Sequence, residues 1–407
     1  MLEALVIGAG QAGLSAGRLL RERGVEHLVL ERGRVGETWR SQRWDGFFLN
    51  TPNWATQLPG LAHAWADPDG FATRDELVAV FEEYAHDAPV RTETRATRVR
   101  PQRGAWVVET EDDELRARNV IVAAGAFPHP SVPFLARDVP DDVVQLHSSE
   151  YRNPAQLPEG PVLVVGSAQS GCQIGEELLE AGRDVVLAAG RCGWFPRRYR
   201  GRDFVAWGVA IGMMDETVDA VPPEQRRGCN PALSGNDGGH DCHARTLADG
   251  GAVLAGRIER IDDGIARFAP GLDESLAFAD EFAARFLRRV DEHVDSSGVD
   301  APPADPLRLY RKPATLSELD LRDAGAVVWA TGYRPDYSWI DTPLRDDGWP
   351  VHVRGLSPQE GLSFVGLPWL HKRKSPLLLG VGEDAEFVVD RLVTTRPILR
   401  RPRGSRR

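Results

Sequence analysis

The sequence predicts an α/β chain of two Rossmann-like dinucleotide-binding domains, the second inserted in the first. Three observations predict it. An apolar run, a glycine turn and a helical run open the chain at 2–23. The same order returns at 161–180. Two more apolar runs, 119–124 and 325–330, lead to Gly125 and Gly332, where the chain is expected to cross between the domains beside a nucleotide.

The first unit is justified residue by residue. Residues 2–7 read as a buried strand, 8–13 spell GAGQAG, a helix follows, and 27–30 form a second strand ending at Glu31. Gly8 permits the tight turn, Gly10 lets the backbone approach a pyrophosphate, and Gly13 lets helix and strand pack closely. The phosphates would sit at the helix N-terminus. Glu31 is placed to accept hydrogen bonds from a ribose diol.

The second unit repeats the pattern with a strand at 161–165, GSAQSG at 166–171, a helix to about 180 and a strand at 184–188. Gly166, Gln169, Ser170 and Gly171 are its candidate nucleotide contacts. Ala168 stands where a middle glycine is usual, so the ligand must pass slightly further out. No acid ends the second strand. Arg191 comes instead, with Arg197, Arg198, Arg200 and Arg202 behind it. An acid there would repel a 2′-phosphate and an arginine pairs with it bidentately, which favours NADPH over NADH. For part of RRYRGR a solvated basic loop is the competing reading.

The expected division is 1–155 for the first part of the first domain and 156–328 for the inserted domain. Residues 329–395 return to the first domain, and 396–407 form a basic flexible tail. A helix at 79–86, alternating strands at 91–100 and 105–109, and a long charged helix at 274–294 fill in the rest. The stretch 204–214 is apolar and helical, and either lines a substrate pocket or packs a core.

The bulk composition excludes several classes. A formal net charge of −11 argues against a general nucleic-acid surface. No run approaches 18 uncharged apolar residues, and no basic region with an apolar leader opens the chain, so a cytoplasmic protein outside the membrane is expected. Cys172, Cys192, Cys229 and Cys242 contain no CxxC pair, which suits a reduced chain and disfavours the usual dithiol–disulfide reductase. His240, Cys242 and His243 lack separated ligand pairs, so no metal is expected. A homo-oligomer is possible but not indicated. Two nucleotide folds suggest a bound flavin and a nicotinamide that reduces it.

Six segments carry a family resemblance: GAGQAG (8–13), GETWRSQRWDGFFLNTPNW (36–54), GSAQSG (166–171), Arg191 with the following PRRYRGR, ATGY (330–333), and GLPWLHKRKSPLLLGVGEDA (366–385). Over nearly its whole length the chain resembles the class B flavoprotein monooxygenases. It looks nearest the small bacterial branch close to the plant indole-pyruvate monooxygenases. The resemblance implies FAD in the first domain and NADPH in the second. It also implies O2 as co-substrate, with one oxygen atom inserted into a small organic molecule through a flavin C4a-(hydro)peroxide.

The resemblance also implies site residues. Trp39, in preference to Trp44, would stack near the cofactor or substrate; the competing role for both is core packing. Asn50 or Asn53 would face the flavin, with Asn50 preferred; the competing role for both is capping the turn at Thr51–Pro52. His371, with Lys372, Arg373 and Lys374, would anchor an anionic substrate or support a flavin anion, unless WLHKRK is a surface loop. Gly382 and Asp384 begin a helix whose N-terminus would face the flavin. The family marker FxGxxxHxxxW/F maps onto 141–151, where His147, Ser148 and Tyr151 are kept but Asp141 and Val143 replace the aromatic residue and the glycine. His147 is expected to position the linker near the nicotinamide rather than to abstract a proton. The half-kept marker leaves an alternative open, an NADPH-dependent flavoprotein reductase or oxidase without oxygen transfer.

Overall fold

The structure is a computed structural model that describes residues 1–125, 129–226, 228–306, 308 and 310–394. The basic tail expected at 396–407 lies outside the described residues. Seven strands form the first sheet. Its central strand β1 (Leu2–Ile7) is flanked in parallel by β2 (His27–Leu30) and by the C-terminal half of a long strand at Glu114–Val122. Being covered on both faces, β1 is apolar at five of six positions rather than alternating.

Helix α1 (Gln11–Glu22) joins β1 to β2, and α2 (Arg74–Ala85) packs beside it before the edge strand β3 (Val90–Arg91). The sequence placed α2 at 79–86. It starts earlier because Thr73 and Glu76 form a reciprocal capping box, which satisfies two N-terminal donors. Strands β4 (Ala96–Gln102), β5 (Ala105–Thr110) and β6 (Glu114–Val122) run as an antiparallel meander, so β6 serves both the meander and the parallel core.

The second sheet is wholly parallel. It holds β7 (Val144–His147), β8 (Val162–Val165), β9 (Val185–Ala188), β10 (Val253–Ala255) and β11 (Ala326–Trp329) in the order β10-β9-β8-β11-β7. Helix α3 (Gln169–Glu180) makes the β8–β9 crossover. Strand β7 pairs with β11, so the segment that the sequence division left in the first domain belongs to the second sheet. The 26-residue helix α4 (Leu272–Ser297) buries Leu276, Ala283, Phe286, Val290 and Val294 along one stripe. The apolar stretch at 204–214 packs against that stripe: Phe204 and Trp207 are buried in one cluster with Phe286 and Val290, so it is core. The chain then returns to the first sheet, where β12 (Leu362–Phe364) pairs with β6 and α5 (Val381–Thr394) packs on α1.

Candidate functional site

The two glycine turns are built alike. Gly8 takes φ +107° and Gly166 takes φ +113°, values that an L side chain rarely adopts. A Cβ at Gly8 would strike the Ala123 carbonyl, and one at Gly166 would strike that of Ala330. In each unit, then, the crossover strand presses its end against the first glycine. Gly125 (φ +82°) and Gly332 (φ +79°) turn the chain immediately afterwards. Gly13 and Gly171 stand against the carbonyls of Gly8 and Gly166, with no room for a Cβ. Gly10 differs: a Cβ there would meet no atom within 4 Å. Protein packing therefore leaves that position open.

Gly10 and Ala168 are the N-cap residues of helices α1 and α3, and neither supplies a side-chain hydrogen bond. Unsatisfied N–H groups at a helix start form an anion site, and these two fit pyrophosphates. Glu31 is buried behind the first turn. One carboxylate oxygen accepts from the Ala9 N–H at 2.7 Å and the other from the Gly33 N–H at 3.0 Å. It holds the glycine loop in shape, in addition to the ribose contact expected of it. Trp39 donates its indole N–H to Gln11 Oε1 at 3.0 Å, and Gln11 reaches the Pro376 carbonyl at 3.4 Å. The helix start, the 36–54 segment and the 366–385 segment converge there.

Around the second turn, Gln169 is anchored to the Pro231 carbonyl at 3.1 Å, while Ser170 is half-buried in the first turn of α3. Arg191 is exposed past the end of β9, its guanidinium 4.6 Å from the Phe278 ring centre. Beside it a narrow cleft is lined by Ser167, Gly190, Cys192, Arg245 and Asp280. Arg197 corrects the expectation of a phosphate contact. It is 1% exposed and pairs with Asp203 at 2.8 Å, and it also donates to the Asn50 carbonyl at 2.9 Å. Burial pulls its guanidinium below the usual arginine range against the Asp203 charge. Such a group is committed to the interior.

Asn50 joins the two domains. Its side-chain oxygen accepts from Gln173 on α3 at 2.7 Å, and Gln173 also donates to the Leu233 carbonyl at 2.7 Å. Neither bond is a cap on Thr51–Pro52. Asn53 is buried and donates to the Asp67 carbonyl at 2.9 Å, leaving its Oδ1 without a partner. Next to Gln173, a cavity of about 300 Å³ is lined by Trp44, Phe48, Glu176, Glu177 and Glu180. Sequence reasoning passed over Gln173, which carries no signal in a helical run. It also passed over Arg43, which lies 5.3 Å from the Trp39 ring centre and hydrogen-bonds Tyr333 across the domain boundary.

His147 is a clasp. Its Nε2 lies 2.9 Å from the Gly332 carbonyl and its Nδ1 3.2 Å from the Ser149 N–H. These partners assign the neutral tautomer with the proton on Nε2. Burial lowers its pKa, and the ring meets Tyr333 edge-on at 5.0 Å. With both nitrogens engaged it holds the linker to the Gly332 turn, and neither nitrogen is free to take a proton from a substrate. The lost half of the marker has another use: Val143 is buried in the core beneath the second sheet, and Asp141 is exposed.

The 366–385 segment also differs from expectation. Lys372 and Lys374 each bridge Asp215 and Glu383, and Arg373 pairs with Glu216 at 2.6 Å. These cations are matched by carboxylates and fasten 213–216 to the start of α5; they do not anchor an anionic substrate. His371 is half-exposed beside them, its carbonyl accepting from Val218 at 2.8 Å. Burial and the nearby Arg354 and Lys372 charges lower its pKa. A Cβ at Gly382 would press on the Pro59 ring, so this glycine serves helix–loop packing. Asp384 is 3% exposed, and its Oδ2 has no partner. Burial, only partly offset by a Ser375 hydrogen bond, raises its pKa to about 6. The orphaned oxygens of Asn53 and Asp384 sit on the two segments expected beside a flavin, and suit a ligand with its own polar rim.

Among the described residues no group of three His, Cys, Asp or Glu is placed to hold a metal, and no helix is long and apolar enough to cross a membrane. His240 instead pairs with Glu176 at 2.7 Å.

Comparison with known proteins agrees with this geometry. The family model described as pyridine nucleotide-disulphide oxidoreductase matches residues 5–202. An uncharacterized CzcO-like oxidoreductase of Geobacillus kaustophilus is 31% identical, over 96% of this chain and 98% of its own. Indole-3-pyruvate monooxygenase YUCCA1 of Oryza sativa subsp. japonica is 34% identical over 44% of this chain and 45% of its own. Three solved structures share the fold. A flavin-containing monooxygenase from Stenotrophomonas maltophilia has a TM-score of 0.63 at 20% identity, covering 97% of this chain and 98% of that one. The bacillithiol disulfide reductase of Staphylococcus aureus has a TM-score of 0.62 at 12% identity, covering 97% and 99%. OTEMO in complex with FAD and NADP has a TM-score of 0.59 at 18% identity, covering 97% and 85%.

Proposed function

The chain belongs to the family of the CzcO-like oxidoreductases, and from that premise we propose an FAD- and NADPH-dependent monooxygenase of the class B type. It inserts one atom of O2 into a small organic substrate. The observation that carries this reading is the pair of like-built, uncapped helix starts with unlike surroundings. One has a buried acid behind it, Glu31; the other has an exposed arginine, Arg191. An acid suits the unphosphorylated adenosine ribose of FAD, and an arginine the 2′-phosphate of NADPH.

The chain's own work is binding, orientation and exclusion of water. The N–H groups at the start of α1 would hold the FAD pyrophosphate, and Glu31 keeps that loop closed. The start of α3 would hold the NADPH pyrophosphate. Bound FAD, once reduced by NADPH, supplies the electrons that activate O2. Asn50, fixed by Gln173, is the amide we assign to the reacting face, and Asn53 and Asp384 offer polar atoms along the cofactor's rim. His147 fixes the linker so that the domains keep one relative setting. Kinship with the plant indole-pyruvate branch is part of the proposal and rests on a match to under half of each chain.

A second reading is an NADPH-dependent reductase or oxidase without oxygen transfer. The half-kept marker at 141–151 favours it, as does the fold shared with a disulfide reductase. One experiment separates the two. The FAD-loaded protein is given NADPH, ¹⁸O2 and a panel of thioethers, amines, 2-oxo acids and ketones. One ¹⁸O atom in a product, with substrate-stimulated NADPH consumption and no extra peroxide, is expected. Peroxide equal to the NADPH consumed across the panel, with no labelled product, overturns monooxygenation in favour of the second reading.

A further inference from the structure

We propose that Cys192 and Cys229 form a reversible disulfide in the presence of hydrogen peroxide, a modification site in the wall of the second nucleotide cleft. No CxxC spacing announces it, because the partners come from segments far apart in sequence. Trp194 and Ala232 form a parallel bridge, with the Ala232 N–H on the Gly193 carbonyl at 2.8 Å and the Phe195 N–H on the Ala232 carbonyl at 3.3 Å. Just upstream of that bridge the two thiols meet. Cys192 Sγ is 3.6 Å from the Asn230 carbonyl, and Cys229 Sγ is 3.9 Å from the Arg191 carbonyl. The two thiols interact directly, and the interaction favours the proton on Cys192 over Cys229. Continuing the register of the bridge sets Arg191 opposite Cys229 and Asn230 opposite Cys192, so the two cysteines are diagonal neighbours whose sulfurs each reach the carbonyl beside the other.

The two sulfurs are differentiated. Cys229 is exposed, and its interaction with the Cys192 thiol, opposed by partial desolvation and aided by the Cys229 and Gly193 N–H groups, favours its thiolate. Cys192 is buried and its thiol is held protonated. The Cys229 thiolate attacks peroxide, the O–O bond breaks, and a sulfenic acid and water result once the leaving hydroxide takes a proton. The Cys192 sulfur then displaces the sulfenic oxygen as a second water while its own proton leaves with it. Each sulfur is oxidised by one electron and the peroxide is reduced to two waters. Cys172 and Cys242 are buried with burial pushing both thiols up, so they serve as unreactive internal references.

The bond would act on the nucleotide. Cys192 lines the cleft that contains Ser167 and Gly190, next to Arg191. Tying 192 to 229 fixes the backbone that carries Arg191, and so changes NADPH affinity. This consequence rests on the NADPH reading above; the disulfide does not.

The test uses the full chain, reduced and then titrated with hydrogen peroxide, alkylated and digested with trypsin without reductant. Peptide 192–197 should appear joined to peptide 228–245, with fragmentation placing the bond at Cys229 and not Cys242. It should vanish on thiol treatment and in Cys229→Ser, whose exposed site leaves folding intact. Oxidation that stops at Cys229 sulfenic or sulfinic acid, with Cys192 still alkylatable after denaturation, overturns the disulfide. NADPH affinity should change at least about fivefold between the two forms, and not in Cys229→Ser. A disulfide with unchanged affinity overturns the effect on the nucleotide. NADPH binding to neither form tells against the NADPH reading while the peptide map still decides the disulfide.

Discussion

Arg197 is enclosed by Asp203, the Asn50 carbonyl and the Phe71 ring, whereas Arg191 has its guanidinium at the surface over Phe278. The two arginines should therefore respond to mutation in opposite ways. Arg197→Ala strands a largely buried carboxylate and should cost about 3–5 kcal/mol in denaturant unfolding. Arg191→Ala should leave stability within about 0.5 kcal/mol. It should weaken NADPH about tenfold, the loss of a charged hydrogen bond, while sparing NADH. Binding titrations with both nucleotides check this; equal weakening of NADH would remove the 2′-phosphate role from Arg191. In the sequence both residues lay in one basic stretch. What separates them is Asp203, which meets Arg197 only because the antiparallel bridge of 198–199 with 202–203 folds the chain back.

At the scale of elements, the strand–turn–helix unit does the work, and its three glycines are not equivalent. Gly13 fits against the Gly8 carbonyl, so Gly13→Ala should destabilise the protein by about 3 kcal/mol or more, with or without cofactor. Gly10 faces open space, so Gly10→Ala should leave the melting temperature of the cofactor-free protein unchanged while reducing retained FAD, read from flavin absorbance against protein. A Gly10→Ala protein that keeps its full FAD content would move the pyrophosphate away from α1. Ala168, at the matching place in the second unit, already carries a methyl group there. The clasp of His147 on Gly332 is an element-scale feature of the same kind, joining the end of β7 to the turn after β11. The sequence showed its residues but not its partner.

For the whole molecule, buried titratable groups set how stability depends on pH. Burial lowers His243 to about 3 and His352 to about 4, against an ordinary value of 6.5. The folded state binds these protons less readily than the unfolded chain does. Stability is therefore fully present above pH 6.5 and falls as pH drops below it, by about 1.4 kcal/mol per unit for each group. Asp384 works in the opposite sense: raised to about 6, it removes stability as pH rises from about 4 to 6. Two histidines outweigh one carboxyl, so a net loss on acidification is expected. Unfolding of His243→Gln should lose about 2 kcal/mol less than the parent chain between pH 6.5 and pH 5. Equal losses in both proteins would show that His243 is not the group responsible.

The sequence alone determined the two dinucleotide folds, their order and their glycine turns. The reason is locality: strand, turn and helix are contiguous, and hydrophobic period and glycine position report them directly. It also showed that Glu31 and Arg191 follow the second strand of each unit. Tertiary structure decided everything that needs a partner from elsewhere in the chain. It neutralised Lys372, Arg373 and Lys374 with Asp215, Glu216 and Glu383, and buried Arg197. It moved residues 144–147 into the second sheet and turned Asn50 toward Gln173. It also set Cys192 beside Cys229. A charge or a thiol carries no mark of its partner in the sequence; only packing chooses one, and that choice separates a site residue from a structural one.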